Sequence, residues 1–376
     1  MNSSSGAETG SRPLVGDLES VLGVAFPREW AEDWDRVGLL AGDRNRDITG
    51  VLVTLDPTRS AITRAQTLGA NVLLTHHPAA LSMPERLTGG RGPGGTVFAA
   101  LDAGVALIAE HTNLDRAPQG VAALPTRLGL RQLGPVERSV QPMTRITVYA
   151  PAESAHRLID AMSKAGAGQI GAYERCAFSG PGVGEFTASA GSRPYAGQPG
   201  EPSRVKELRI EMLCARPSAV GVIAAARAVH PYEEPLIVSE PVSIARSAAR
   251  MGMLCEPEGA PTLEELSVLC SRTLNVRPRV WGERSARIRR CVTATGSAGS
   301  LIGDVLAAGA DALVCGEVRY HDALDAAESG LAIVEAGHDV SEWPLVELLG
   351  AAALGVRGLP ADKVMIETPT AGWWTP

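Results

Sequence analysis

Short apolar runs alternate with helical periodicity at both ends of the chain. Gly50-Val-Leu-Val-Thr-Leu55 predicts a strand that stops at Asp56-Pro57, and Ser60 to Leu68 has helical spacing ended by Gly69. Asn71-Val-Leu-Leu74 is the next strand and runs into Thr75-His76-His77-Pro78. Strand, helix and strand joined by short connections imply a parallel βαβ unit. A Gly/Pro/Arg-rich loop covers Pro84 to Gly95. Beyond it, Thr96 to Ala103 predicts a helix, and Val105 to Ala109 a strand ending just before His111.

The order returns in the last third. Arg290 to Thr295 predicts a strand, Leu301 to Ala308 a helix, Ala312 to Cys315 a strand ending at Gly316-Glu317. A helix over Asp322 to Glu328 and a strand over Leu331 to Val334 follow, the latter running into Gly337-His338. Leu68-Gly-Ala-Asn71 laid on Ala308-Gly-Ala-Asp311 sets Glu317 opposite His77. Ala103-Gly-Val-Ala106 laid on Ser329-Gly-Leu-Ala332 sets His111 opposite His338 and Asp115 opposite Glu342, after one inserted residue. Both ends then carry one unit, an internal duplication.

The middle differs. Thr144 to Tyr149 predicts a strand, Ser154 to Ala165 an amphipathic helix, and Glu207 to Leu213 a half-buried strand with period-two alternation. Ser218 to Ala228 predicts a helix and Leu236 to Glu240 a last strand, while Gly180 to Phe186 and Gly191 to Pro202 are expected as loops. The fold class expected is α/β: two duplicated α/β halves, 14–130 and 250–370, form one domain. A ferredoxin-like α+β insert over 143–243 interrupts it.

At 376 residues the chain exceeds one ordinary domain, and its 45% hydrophobic and 20% charged residues describe a soluble globular protein. A net charge of -7 without blocks of like charge argues against nucleic acid or an anionic membrane as partner. The Ser/Gly/Thr-rich start, Met1 to Pro13, lacks the apolar run of a signal peptide and is expected to be disordered. No run reaches membrane-helix length; Leu301 to Cys315 is broken by Asp304 and Asp311. Cys176, Cys214, Cys255, Cys270, Cys291 and Cys315 show no Cys-x-x-Cys spacing, so buried reduced thiols in a cytoplasmic protein are expected.

Histidines are scarce, and their placement carries the chemistry. Of seven, His76 and His77 stand together at a strand end, and His111, His321 and His338 lie near carboxylates. Imidazole nitrogen and carboxylate oxygen suit zinc, manganese, iron or cobalt. Adjacent histidines in a strand face opposite ways and serve one cluster only where the strand ends, which Pro78 enforces. A lone histidine pair is more often structural, and a lone His-x-x-x-carboxylate merely shares a helix face. Their combination at equivalent strand ends of a repeat favours a metal site. His76, His77, Asp115, His338 and Glu342 exceed the needs of one zinc ion and suit a pair with a bridging carboxylate. His111, Glu317 and His321 then serve as orienting or acid–base groups. Gly296 to Ser300 has two open readings: an anion-holding loop, or a tight turn capped by Ser300.

Several motifs resemble one family: Trp34 to Leu39, Thr75 to Pro78, His111 to Asp115, Gly296 to Gly299, Gly316 to His321 and Gly337 to Glu342. The chain is similar to the dinuclear metal centre hexameric proteins, the GTP cyclohydrolase 1 type 2 homologues. In the middle, Gly184 to Phe186 and His230 to Pro235 look like that family's inserted domain, itself similar to small trimeric signal-transduction folds. The resemblance covers nearly the whole chain. It implies metal ligands at His76, His77, Asp115, His338 and Glu342, and a homohexameric toroid with sites facing an internal cavity. Arg36 stands where the family usually has Asn, and Glu317 where Asp is usual.

Two functions are open. One is metal-dependent hydrolysis of a nucleotide or other phosphorylated small molecule. The other is a non-catalytic metal-binding or regulatory hexamer with the insert as sensing module. His230 is expected in a turn or interface, His156 in solvent, and Trp373-Trp374 packed on a neighbouring surface or subunit.

Overall fold

A computed structural model describes residues 12–367, apart from 33, 83, 138, 139, 172 and 246–248, together with Trp373. The expected disordered start lies almost wholly outside these residues, as does Trp374. The chain divides into two compact units, one from both chain ends (through Arg138 and from Ala248) and one over Ser139–Ser247.

Along the chain come β1 (Gly38–Ala41), β2 (Val51–Thr54), β3 (Val72–Thr75), β4 (Ala106–Ala109) and β5 (Arg131–Pro135). The second unit supplies β6 (Val140–Ala150), β7 (Phe178–Thr187), β8 (Pro202–Cys214) and β9 (Ile237–Ala245). Then come β10 (Met253–Glu256), β11 (Arg279–Trp281), β12 (Cys291–Thr293), β13 (Ala312–Cys315), β14 (Ala332–Glu335) and β15 (Val364–Ile366).

The first unit holds two sheets, ordered β1-β4-β3-β2-β15 and β11-β14-β13-β12-β10-β5. In each, three central strands run parallel, β2-β3-β4 and β12-β13-β14, and a flanking strand, β1 or β11, pairs antiparallel with the last of them. The central strands are buried at every position, as unbroken apolar runs such as Val-Leu-Leu-Thr require when both faces are covered. Alternate residues accordingly feed separate cores: Val72 and Leu74 join Val51 and Ile108, whereas Leu73 joins Leu52 and Leu107.

The helices that follow the last parallel strands cross over. Helix His338–Ala353 packs Leu345, Val346 and Leu349 against Val51, Val72 and Ile108 of the first sheet. Helix Pro118–Arg127 packs Val121 and Leu124 against Cys291, Val314 and Val334 of the second. Each sheet is thus covered by a helix from the other end of the chain. This exchange draws the two strand ends toward one another.

The second unit runs strand-helix-strand-strand-helix-strand, its sheet ordered β7-β8-β6-β9 with antiparallel neighbours throughout. Helices Ala155–Lys164 and Ala219–Val229 pack Leu158, Met162, Val222 and Ala226 onto Ile146, Val148, Ile210 and Met212. Gly180 to Phe186, expected as a loop, lies within strand β7. That segment hides its strand character because β7 is an edge strand, where Pro181 need not donate to a second partner and most side chains face solvent. A Cβ at Gly184 would meet the Glu207 carboxylate, which would have to shift to make room.

Candidate metal centre

His76 and His77 follow β3 directly, and the chain leaves the sheet at Pro78. Their amides extend the parallel pairing, His76 N–H to Thr54 O at 3.3 Å and His77 N–H to Leu55 O at 2.9 Å. His111 caps the short helix Thr112–Arg116, so Asp115 lies one turn on. His338 opens helix His338–Ala353 and places Glu342 one turn further along the same face. Asp115, on the first half, accepts from Thr295 Oγ1 of the second at 2.6 Å. Glu342, on the second, faces both histidines of the first.

In each of four imidazoles Nδ1 is anchored by an acceptor. His76 Nδ1 lies 2.9 Å from Glu110 O, His77 Nδ1 2.8 Å from Asp56, His111 Nδ1 2.8 Å from Asp35, and His338 Nδ1 3.0 Å from Glu317. Donation from Nδ1 leaves Nε2 as the lone-pair nitrogen, the arrangement in which an acceptor orients a ligating histidine. The ligand atoms of His76, His77 and His111 lie within 4.8 Å of one another, as do those of His77, His338 and Glu342, and of His76, Asp115 and Glu342. The His76 ring stands 5.0 Å from that of His77 and 5.2 Å from that of His111, and His77 stands 5.6 Å from His338.

The pieces therefore converge. His76 is fully buried, and its Nε2 has no hydrogen-bond partner; Asp115 and Glu342 oxygens each stand 3.6 Å away. Two donors about 2.1 Å from one tetrahedral ion are roughly 3.4 Å apart, so this spacing fits a shared cation better than a hydrogen bond. Glu342 spans the cluster, with Oε1 3.1 Å from His338 Nε2 and Oε2 3.0 Å from His77 Nε2. The donor set, nitrogen from imidazole and oxygen from carboxylate, suits a borderline divalent ion. Backbone fit is as close: Gly296, at φ +59°, has no room for a Cβ, which would overlap Glu342 Oε1 and stand 3.3 Å from His338 Nε2.

Without a cation the neighbouring carboxylates favour the protonated form of His76, His77 and His338. Burial lowers His76 and His77, but carboxylates outweigh it: Asp115 and Glu342 raise His76, and Asp56 and Glu342 raise His77 to about 10. A hydrogen bond to Glu342 does most to raise His338, to about 9. Burial pushes Glu342 up, yet His338, His76 and His77 hold its carboxyl well below the usual range. Asp35 is likewise held at about 2 by His111 and Thr112 against the effect of burial.

His111, expected as an orienting or acid–base group, brings a ring nitrogen within 4.8 Å of those of His76 and His77. Glu317, exposed after β13, stands with Oε1 3.0 Å from His338 Nδ1 and orients that ring. His321 does not join the cluster. It lies on the exposed side of helix Tyr320–Glu328, its ring 5.4 Å from that of Tyr320 and in none of the three groups. The turn at Arg319 starts that helix and carries its second residue away from the strand ends. Arg36 is exposed, and its amide donates to Asp35.

Asp35, Asp56, Glu110, Thr295 and Ser341 escaped sequence reasoning as site residues. Asp35 and Ser341, inside the motifs Trp34 to Leu39 and Gly337 to Glu342, and Asp56 and Thr295, at the ends of predicted strands, carried a signal; Glu110 carried none. The Gly296 N–H donates to Ser341 Oγ at 2.9 Å, which ties it to protein rather than to an anion. The Ser300 cap is not formed; neither the turn Gly299–Leu301 nor helix Ile302–Ala307 has a side-chain cap. His230 sits in the turn after its helix, Nε2 3.0 Å from Tyr149 O, and His156 is exposed. Cys291 and Cys315 are buried free thiols whose pKa burial pushes up. No helix among the described residues is long and apolar enough to cross a membrane.

A mixed α/β unit with convergent histidines and carboxylates at the ends of parallel strands is a protein equipped to hold metal. Residues 13–355 match one family over most of the chain, and the chain belongs to it: Duf34/NIF3 (NGG1p interacting factor 3). Curated relatives are named GTP cyclohydrolase 1 type 2 homolog. That of Halalkalibacterium halodurans is 32% identical over 319 residues, 84% of this chain and 86% of its own. That of Mycobacterium tuberculosis is 31% identical over 338 residues, 88% of each. Among solved structures, a Bacillus cereus protein related to NIF3 superposes with a TM-score of 0.64 at 28% identity, covering 98% of this chain and 100% of its own. A Staphylococcus aureus protein superposes at 0.65 and 25% identity, covering 98% and 99%.

Proposed function

We propose that the chain is a dinuclear divalent-metal protein that hydrolyses a small molecule. The observation that carries this is the His76 Nε2, buried and unpartnered 3.6 Å from both Asp115 and Glu342. His76, His77, Asp115, His338 and Glu342 would hold the ions, with His111 adjoining. When bound, such a pair lowers the pKa of water and draws charge from the attacking and leaving oxygens. The chain's own residues prepare this: Glu110 O, Asp56 and Glu317 fix the imidazole rings, and Thr295 fixes Asp115. His111, held by Asp35, is placed to hold or move a proton at Nε2. The relatives' name makes GTP the first substrate to try.

Zinc, manganese, iron and cobalt all suit the donors. The matching order of the two sheets supports a duplicated domain, and Gly42 and Gly282 support it further, each at positive φ with its would-be Cβ against the first residue of β4 or β14. The strand order of the second unit supports a ferredoxin-like insert. A cytoplasmic homohexamer is the assembly the family resemblance favours, and light scattering on purified protein tests it. Turnover of a substrate panel by metal-loaded protein, lost in Asp115→Ala and Glu342→Ala while circular dichroism is unchanged, tests the enzyme. Loaded protein without turnover on any substrate would favour the regulatory binding protein instead.

A further inference from the structure

The second unit holds a histidine whose two ring nitrogens have fixed and opposite roles. Helix Ala219–Val229 ends at His230, which the following Pro231 holds extended at φ -70°, ψ 139°. The chain then folds back, so that the Tyr232 amide donates to His230 Nδ1 at 3.0 Å, while Nε2 lies 3.0 Å from Tyr149 O on β6. A backbone N–H can only donate and a carbonyl can only accept. The ring is therefore neutral, with its proton on Nε2 and its lone pair on Nδ1. A second proton would sit on Nδ1, facing the Tyr232 N–H, and would remove that bond.

The turn holds more than itself. Tyr232 Oη donates to Glu207 Oε1 on β8 at 2.7 Å, and its ring stands 5.6 Å from that of Tyr195. Glu233 accepts from the Arg193 amide at 2.9 Å, and Glu234 faces Arg227 of the preceding helix at 3.2 Å. One imidazole thus closes a turn that gathers β6, β8, that helix and the segment 193–195. Burial, the largest influence, lowers the pKa of the ring below the ordinary 6.5, against the Tyr149 carbonyl, which raises it. The charged groups that act on it oppose each other: Glu207 favours the second proton, and Arg157, on helix Ala155–Lys164, disfavours it. We propose that His230 is a proton-sensitive latch: its neutral ring keeps the turn over 230–236 closed, and protonation in mild acid releases it. The closed turn has its full stability above the value of the released ring and loses it as pH falls below.

Hydrogen–deuterium exchange of the full-length protein, each rate divided by the intrinsic rate at its pH, tests this through the peptide that carries the Tyr232 amide. From about pH 7.5 to about 5.5, opening of the turn should rise severalfold, with about tenfold the ceiling one unit below the 6.5 of a released ring. His230→Asn is the matched variant, since an Asn side chain accepts from the amide two residues on but holds no titrating proton. Its turn should exchange at the same corrected rate at both pH values. A wild-type turn whose protection stays flat overturns the proposal. So does an unchanged pH response in His230→Asn, which would assign the effect to another group such as His156, the only other histidine in 139–247. Protection lost from helix Ala155–Lys164 along with the turn would mean that the unit unfolds as a whole, and that too overturns the latch.

Discussion

Replacing Gly296 by alanine probes the centre through backbone and sterics without deleting any donor. Alanine at φ +59° costs about 1–2 kcal/mol in left-handed strain. Its methyl would also overlap Glu342 Oε1, so the carboxylate must retreat by about 1 Å to reach ordinary contact. His76, His77 and His338 all stand within 3.6 Å of that carboxylate, so the retreat disturbs every group that shares it. Loss of even an orienting partner lowers metal affinity about 10–100-fold, and displacing the shared carboxylate should do at least that. Gly309→Ala is the control, since Gly309 has φ +67° but no atom within 4 Å of its would-be Cβ. Denaturant unfolding should report the strain loss in both variants and a further loss in Gly296→Ala, and competition against a chromophoric chelator should report weakened metal only in Gly296→Ala. Affinities within about threefold of each other would refute the geometry, because strain would then account for everything.

Thr295→Val removes the donor to Asp115 and should weaken metal about tenfold, with Thr295→Ser restoring it in the same titration. Protons compete at His77 and His338, so apparent metal affinity should climb with pH up to about 9 to 10 and then level off. Both groups are raised from 6.5, so their stabilisation of the metal-free chain is full below that value and fades as pH rises through 9 to 10. Thermal melts of stripped protein should show this decline, and a flat or rising profile would contradict it. Leu124→Ala empties part of the contact by which the first half's helix covers the second sheet, and should cost about 2–5 kcal/mol in denaturant unfolding. A loss below about 1 kcal/mol would mean that the helix exchange contributes little.

Much of this was legible because strand and ligand signals coincide. Fully apolar runs such as Val72 to Leu74 read directly as buried parallel strands, and chemistry in such sheets gathers at their carboxyl ends. The convergence of His76 with Glu342, 266 positions apart, was inferred from the repeat, and the crossed helices supply its physical route. Sequence could not show that exchange, since the apolar stripe of Leu345, Val346 and Leu349 names no sheet. Orienting groups were harder still. The acceptor that fixes His76 is a backbone carbonyl, that of Glu110, which no side-chain pattern reveals. His321 misled because proximity in sequence to Glu317 mimics a motif, while at the start of helix Tyr320–Glu328 it is exposed and outside the cluster. The strand over Phe178–Thr187 was missed because Gly and Pro, read as loop formers, are tolerated at a sheet edge.

Elemental analysis of purified protein, with His76→Ala alongside, addresses the central claim most directly. About two divalent ions per chain are expected in the wild type after loading and dialysis, and fewer in the variant. Clean, folded wild-type protein that emerges from loading without stoichiometric metal would contradict the account.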